Sequence, residues 1–253
     1  MRQWVLHCLG CALGCWLAHP GTVSAQGADI VERTPELLQE FFIAESVFPQ
    51  DRHELQVTVG AVYRAGNGSR VWRLPAVVEF GFSDRLQVAA ELPYVSLSPV
   101  GAARARGLGN AIVSLAYGVL LNAASTAVTV GLEVELPGRR ADSLLTEGRV
   151  AWQPGVVVAR QIGKAQVHVG AALELSRPRS LSADVALVFP VRDLRLTTEL
   201  NWLGDSDPIL FFTPGLIWEA PSGLEVGAGI PMGLTADAPG TNLIVKLTYQ
   251  VQL

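Results

Sequence analysis

The sequence predicts an all-β chain, a transmembrane antiparallel up-and-down β-barrel of about 12 strands with a short N-terminal helix before it. Three observations carry this expectation. From Glu54 to Leu253, apolar and polar residues alternate in successive segments; Leu55, Val57, Val59, Ala61 and Tyr63 oppose Glu54, Gln56, Thr58, Gly60 and Arg64 in the first. The connections between segments alternate between short and long. The aromatic residues sort into two rows. Side chains alternate faces along a strand, so the pattern describes a sheet with one oily and one wet face. Closed with the oily face outward, such a sheet spans a bilayer with every backbone group paired.

Residues 1–25 read as a cleaved signal peptide: Arg2 is the basic start, Trp4 to Ala18 the apolar stretch, and Val23-Ser24-Ala25 the cleavage site. Gly10-Cys11 and Gly14-Cys15 also suggest lipidation, but Cys8 and Ala12 stand three residues before them where leucine is expected. All three cysteines lie in this segment, so the rest of the chain holds no disulfide, thiolate nucleophile or cysteine metal site. Taking Arg2 from the 19 basic residues leaves 18 against 23 acidic ones, a formal net charge of −5. A nucleic-acid binder needs a concentrated basic face, which this balance excludes. Gly107 to Leu132 carries no charge and is long enough for a membrane helix, but Asn110, Asn122 and Ser125 interrupt it and its period is two. Two strands around a turn account for it.

Residues 26–53 form a separate N-terminal segment. Thr34-Pro35-Glu36 has the chemistry of a helix start, Leu37, Leu38, Phe41 and Phe42 follow at helical spacing, and Pro49 ends the run. Two placements stay open. The helix packs on the periplasmic rim, or it plugs the lumen through Leu38, Phe41 and Phe42.

The barrel, residues 54–253, has strand starts expected near 54, 70, 85, 109, 126, 149, 165, 181, 194, 209, 224 and 242. Tight connections fall at Ser83-Asp84, 122–125, 162–164, Arg192-Asp193 and 221–223; the longer ones are 65–69, 98–108, 138–148, 177–180, 204–208 and 236–241. Short periplasmic turns and long outer loops place both barrel ends in the periplasm. In that orientation Tyr63, Trp72, Tyr94, Trp152 and Trp202 form an outer membrane girdle, and Phe80, Phe82, Phe189, Trp218 and Tyr249 an inner one. Prolines 75, 93, 154, 190, 214 and 231 lie inside strands and predict bulges or bends, with Pro154-Gly155 and Pro214-Gly215 as the expected breaks. A bend there opens a lateral exit to lipid or only curves the wall.

The wet face carries the candidate selectivity residues: Glu79, Glu91, Glu133, Glu135, Glu174 and Glu199 among the acids, and Arg73, Arg149, Arg195 and Lys246 among the bases. The same phase also points Glu54, Asp184, Glu219, Glu225, Arg64, Arg85 and Arg192 inward. Such charges either pair as a scaffold of interior ion pairs or form a hydrated constriction that favours cations weakly, with Glu133 and Glu135 stacked on one strand as its best pair. Ile112, Val157, Val188, Ile217, Gly227 and Gly229 point inward too, giving room for the Phe41-Phe42 stripe or a path for an oily solute.

Histidine placement speaks against an enzyme. After the signal peptide the chain has only His53, before the first strand, and His168, low in the seventh. Neither meets the serine or the carboxylates that a barrel hydrolase needs, and the pair makes no metal cage. No cofactor is expected. Arg104, Arg106, Arg139, Arg140, Arg177 and Arg179 gather in the outer loops, where lipopolysaccharide phosphates are candidate partners beside plain solvation.

Gly81 to Tyr94 (GFSDRLQVAAELPY), Gly107-Leu108-Gly109-Asn110, Glu135 to Gly138 (ELPG), Thr213 to Leu216 (TPGL) and Gly223 to Pro231 (GLEVGAGIP) resemble the strand-turn-strand motifs of the phenol-degradation meta-pathway family of outer-membrane proteins. The resemblance covers nearly all of the chain after the signal peptide. It implies a Gram-negative outer-membrane barrel distantly similar to long-chain fatty-acid and aromatic-hydrocarbon channels, with no catalytic set. Asn110 departs from the aspartate expected there, and Leu253 from the terminal phenylalanine, although Tyr249 and Val251 keep the alternation that the barrel-assembly machinery reads. The resulting expectation is an outer-membrane channel or transporter for passive uptake of small organic solutes, aromatic or hydrophobic ones among them. The alternative is a non-conducting structural or surface-interaction barrel. The solute and the oligomeric state stay open.

Overall fold

A computed structural model describes residues 37–253 apart from 39, 67, 124, 139–144, 146–147, 177–178, 205–207, 237 and 239, with backbone alone at 122, 123 and 241. These residues belong to one compact unit, 32–253. The expected signal peptide and the helix start at Thr34-Pro35-Glu36 lie outside the described residues.

The strands are β1 (Glu54–Gly66), β2 (Ser69–Ser83), β3 (Leu86–Pro99), β4 (Ala105–Leu108), β5 (Ala111–Ala123), β6 (Thr126–Leu136), β7 (Ala151–Ile162), β8 (Ala165–Glu174), β9 (Ser180–Val191), β10 (Leu194–Gly204), β11 (Ile209–Glu219), β12 (Leu224–Gly229), β13 (Met232–Gly233) and β14 (Thr241–Gln252). All pairings are antiparallel. β1 pairs with β14 from Glu54↔Gln252 to Ala65↔Thr241, and β10 pairs with β11 from Leu194↔Trp218 to Leu203↔Ile209, so the sheet closes on itself. β4 and β5 both pair with β3 and form one wall strand interrupted at Gly109-Asn110. β12 and β13 both pair with β11 and form another, interrupted at Ile230-Pro231. The result is a twelve-stranded up-and-down barrel, the all-β class expected from the alternation.

The expected breaks appear on one side of each strand. The β6–β7 ladder runs unbroken through Leu132↔Pro154 and Gly131↔Gly155, and the β10–β11 ladder through Thr198↔Pro214 and Thr197↔Gly215. On the opposite sides the β7–β8 ladder stops at Gly155↔Ala172 and the β11–β12 ladder at Gly215↔Gly229. Ile230-Pro231 lies opposite Pro214, with the Ile230 N–H donating to the Pro214 carbonyl at 3.0 Å; there β12 stops pairing with β14 after Gly229↔Ile244, and the Asn242 amide donates to the Pro231 carbonyl at 3.0 Å. Proline lacks the one backbone donor that would point to a single neighbouring strand, so pairing is lost on that side and kept on the other. The connection after β1 is also shorter than expected: β1 ends at Gly66 and β2 starts at Ser69, with Gly68 at φ 72°. Arg85 and Arg192 sit exposed in tight turns rather than in the lumen, Arg192 at φ 56°.

Burial inverts the order of a water-soluble protein. Val57, Val130, Leu196, Leu216, Val245 and Leu247 are exposed on the outer face, while Gln56, Thr58, Gln166, Glu199 and Thr248 are buried inside. Trp72, Tyr94, Trp152, Phe82, Phe189, Trp218 and Tyr249 are also exposed on the outer face, Phe80 packs edge-on against Phe82 at 4.9 Å, and Tyr63 against Trp72 at 4.8 Å. Trp202 lies along Gly204, where a Cβ would strike its ring. An apolar belt all round a polar interior is a lipid-facing surface. Val130 stands near the middle of β6 and is 42% exposed. Val130→Arg is therefore expected to cost about 2–4 kcal/mol in denaturant titrations of the protein folded into liposomes, whereas the same change at an inward position should cost far less.

The described residues between 37 and 50 carry no helix. They lie inside the barrel, at the end that carries the tight turns, and leave it through Gln50 and Asp51 beneath Gly81. The helical spacing of Leu37, Leu38, Phe41 and Phe42 thus belongs to an irregular segment whose apolar side chains face different parts of the wall. Leu38, Phe41 and Ala44 pack against Ala186, Val188 and Ile217; Val47 and Phe48 pack against Leu121, Ala127, Val157 and Ala159.

Candidate functional site

The inner segment and the wall around it form the candidate site. Glu199 projects inward from the middle of β10 and accepts three consecutive backbone N–H bonds, from Phe42 and Ile43 at 2.8 Å each and from Ala44 at 2.7 Å. Successive N–H groups converging on one carboxylate make an anion nest. This is also why the segment is no helix, since these donors are spent on Glu199. Lys246, inward on β14, donates to the carbonyls of Glu40 at 2.7 Å and Phe41 at 3.2 Å and pairs with the Glu40 carboxylate at 3.1 Å. Arg195 donates to the Leu37 carbonyl at 3.0 Å and pairs with Glu219 at 2.5 Å. Thr129 donates to the Val47 carbonyl at 2.5 Å, and Gln87 accepts from Gln50 N at 2.7 Å. Gln56 and Thr58 of β1 donate to the Glu40 carboxylate at 3.0 and 3.2 Å, so inward residues of five strands, β1, β3, β6, β10 and β14, hold the segment.

Packing completes the anchor. Phe41 meets His168 edge-on at 4.8 Å, and Phe48 meets the same ring at 6.0 Å. Phe42 lies over Gly215, Gly227 and Gly229; a Cβ on Gly229 would come within 2.8 Å of the ring, and one on Gly215 would collide with it. The glycines are needed here for close approach, not for an unusual backbone angle.

The candidate lumen residues divide into paired and unpaired sets. Arg73 is bound to Glu91, and Arg149 stands 3.9 Å from Glu174. Gln87 donates to Glu79 at 2.5 Å, and Gln56 donates to the same carboxylate. Asn110 donates its amide to Glu135 at 2.7 Å, which the aspartate expected there cannot do. Glu133 shares the inner face of β6 with Glu135, and it alone of the two also borders the larger cavity. Beyond the segment the lumen keeps a cavity of about 520 Å³, floored by residues 40–49 and bordered by Glu79, Glu91, Glu133, Asp184 and Lys246. A smaller one of about 70 Å³ lies beside Glu133, Glu135 and Gln153.

Two carboxyls of the segment differ in their electrostatics. Burial pushes Glu40 up, but the Lys246 ammonium and the hydroxyl of Thr58 outweigh it and hold this group below the usual range. Desolvation deep in the barrel pushes Glu45 up to about 8, helped by the carboxylates of Glu133, Asp184, Glu40 and Glu91, although its side chain opens to the cavity. Sequence reasoning passed over Glu40, Glu45 and Asn201. Their only signal is polar character, beside the apolar stripe for the first two and on the wet face of β10 for the third. Among the described residues no three His, Cys, Asp or Glu side chains are grouped to hold a metal ion.

No family model matches the chain, and no curated protein matches it either. Solved structures do. The COG4313 outer membrane channel from Pseudomonas putida F1 is similar with a TM-score of 0.65 at 13% identity, over 81% of this chain and 98% of that one. The KdgM porin, solved in complex with disordered oligogalacturonate, gives 0.58 at 9% identity over 78% and 99%. The NanC porin gives 0.52 at 10% identity over 78% and 99%. At such identities the likeness is one of fold. The chain has the barrel fold of outer-membrane channels and porins.

Proposed function

We propose that the protein is a bacterial outer-membrane channel or transporter for passive uptake of small organic solutes, aromatic or hydrophobic ones among them, and not an enzyme. The observation that carries this reading is a closed wall with a lipid-facing belt around a charged lumen, in which a cavity of about 520 Å³ remains beyond the inner segment. Similarity of fold to outer-membrane channels supports the class, and the turn motifs shared with the phenol-degradation meta-pathway family support organic solutes. The tight-turn end faces the periplasm, the signal peptide exports the chain, and the barrel-assembly machinery inserts it. The segment then plugs or narrows the periplasmic half through Leu38, Phe41 and Phe42. Glu79, Glu91, Glu133, Glu135 and Lys246 border the remaining path, with Arg73, Arg149, Arg195, Glu174 and Glu199 as scaffold.

One observation favours a second reading. Five strands anchor the segment, as they would in a non-conducting structural or surface-interaction barrel. Planar-bilayer recordings separate the two. Discrete current steps from purified protein are expected; a barrel that shows heat-modifiable migration on gels yet passes no current would overturn the channel reading.

A further inference from the structure

Charge in the cavity is lopsided. Glu40, Glu45, Glu79, Glu91, Glu133 and Asp184 border it against a single ammonium, that of Lys246. Lys246 is spent on Glu40, Arg73 on Glu91, and two glutamine amides on Glu79. Among the described residues no hydrogen bond or ion pair reaches the carboxylates of Glu45, Glu133 or Asp184.

Asp184 has a defined seat. Its carboxylate lies over Gly170 on the neighbouring strand, where a Cβ would come within 2.9 Å of Oδ1 and closer still to Oδ2. Its partner across β10 is Asn201, which borders the same cavity and is only 4% exposed. Among the described residues neither the Oδ1 nor the Nδ2 of Asn201 has a hydrogen-bond partner, and the same holds for Asp184 Oδ1. A buried carboxamide with both ends unused costs free energy that a ligand recovers. Asn201 stands two residues from Glu199, which holds the backbone of Phe42, Ile43 and Ala44, so Glu45 arrives on the same side of the lumen. Gly155, Gly170 and Ala172 leave the adjoining wall shallow and free of bulky side chains. The crowding of carboxylates at Glu45 is relieved by a positive charge placed among them.

We propose that this vestibule binds small organic cations: a primary ammonium or guanidinium group donates to Asp184, Glu45 and the Asn201 carbonyl oxygen, and an apolar body lies along Gly155, Gly170 and Ala172. This inference rests on the reading of the lumen as a solute path and narrows that reading to a substrate class. A neutral or anionic body of the same size gains nothing from the carboxylates, so discrimination is by charge.

Calorimetric titration of the full folded protein with benzylammonium, benzyl alcohol and benzoate tests it. Saturable binding of benzylammonium alone is expected, weakened about tenfold by Asp184→Asn and also by Asn201→Ala. If Asp184→Asn does not fold, Glu45→Gln takes its place, since that residue is not part of the wall. Equal binding of all three probes, or benzylammonium binding unchanged in the variants, would overturn the proposal. Bilayer recordings on the same preparations keep the two readings apart. Channels without cation binding sink the site and leave the channel; cation binding without channels leaves the site and sinks the channel.

Discussion

Deleting residues 27–49 is expected to raise single-channel conductance on the order of tenfold while the barrel still folds. Ohmic conductance follows the narrowest cross-section, and in the tight-turn half that section is filled by Leu38, Phe41, Val47 and Phe48 packed against Val188, Ile217, Leu121 and Val157. The wall does not depend on this filling. Its ladders close through β1–β14 and β10–β11 without any residue of the segment, and its outer belt is stabilised by lipid. Deletion leaves Glu199 and Lys246 facing water rather than a desolvated partner, so neither becomes a stranded buried charge. The inward apolar residues lose cover, at about 25 cal/mol per Å² exposed, which lowers stability without opening the sheet. Recordings on the two proteins at equal salt decide the matter: matching conductance would remove the segment from the conduction path.

The barrel was legible because one period runs through it. Val57, Val130 and Val245 face outward as their phase requires, and a one-residue slip would have turned every one of them into the lumen. The tight turns were legible from Gly163-Lys164 and Arg192-Asp193 for the same reason. The segment was not. Leu37, Leu38, Phe41 and Phe42 have helical spacing, and local sequence holds nothing that opposes it. What decides its conformation is Glu199, about 155 residues away, whose carboxylate takes the N–H groups that a helix needs. Glu199 could be placed on the wet face by parity, but parity does not say which backbone it meets. Gly227 and Gly229 were likewise visible as small inward residues, and room for Phe42 was foreseeable. Phe42 resting on both, with Gly215 beside them, was not. The strand break at Ile230-Pro231 shows a third limit. Prolines 75, 93, 154 and 214 each stand where a ladder on one side is interrupted, and the sequence does not say which neighbouring strand loses its partner.

Glu199→Gln is expected to unlatch the segment and make the channel flicker between the wild-type level and the larger one that deletion produces. The carboxylate serves Phe42 through Oε1 and both Ile43 and Ala44 through Oε2. An amide offers a single oxygen, so one orientation strands two of these donors and the other strands one, and in both an N–H faces an NH2 group. Each buried group left unsatisfied costs about 1–3 kcal/mol, and the charge assistance of every surviving bond is lost as well. Weakening on the order of 4 kcal/mol multiplies the unlatched population by several hundred to a thousand, because about 1.4 kcal/mol is worth a factor of ten. Lys246→Met removes the other charged anchor, and its effect should fall short of that of Glu199→Gln: two of the Lys246 donations end on carbonyls, and the Glu40 carboxylate, though it loses its ammonium partner, keeps Gln56 and Thr58 as donors at 3.0 and 3.2 Å. Single-channel traces give dwell times in the two levels directly, and limited proteolysis gives an independent measure, since residues 37–50 become cleavable only when they leave the lumen. Traces of Glu199→Gln that match wild type, with the segment still protected, would mean that the apolar contacts of Phe41, Val47 and Phe48 hold it without the nest.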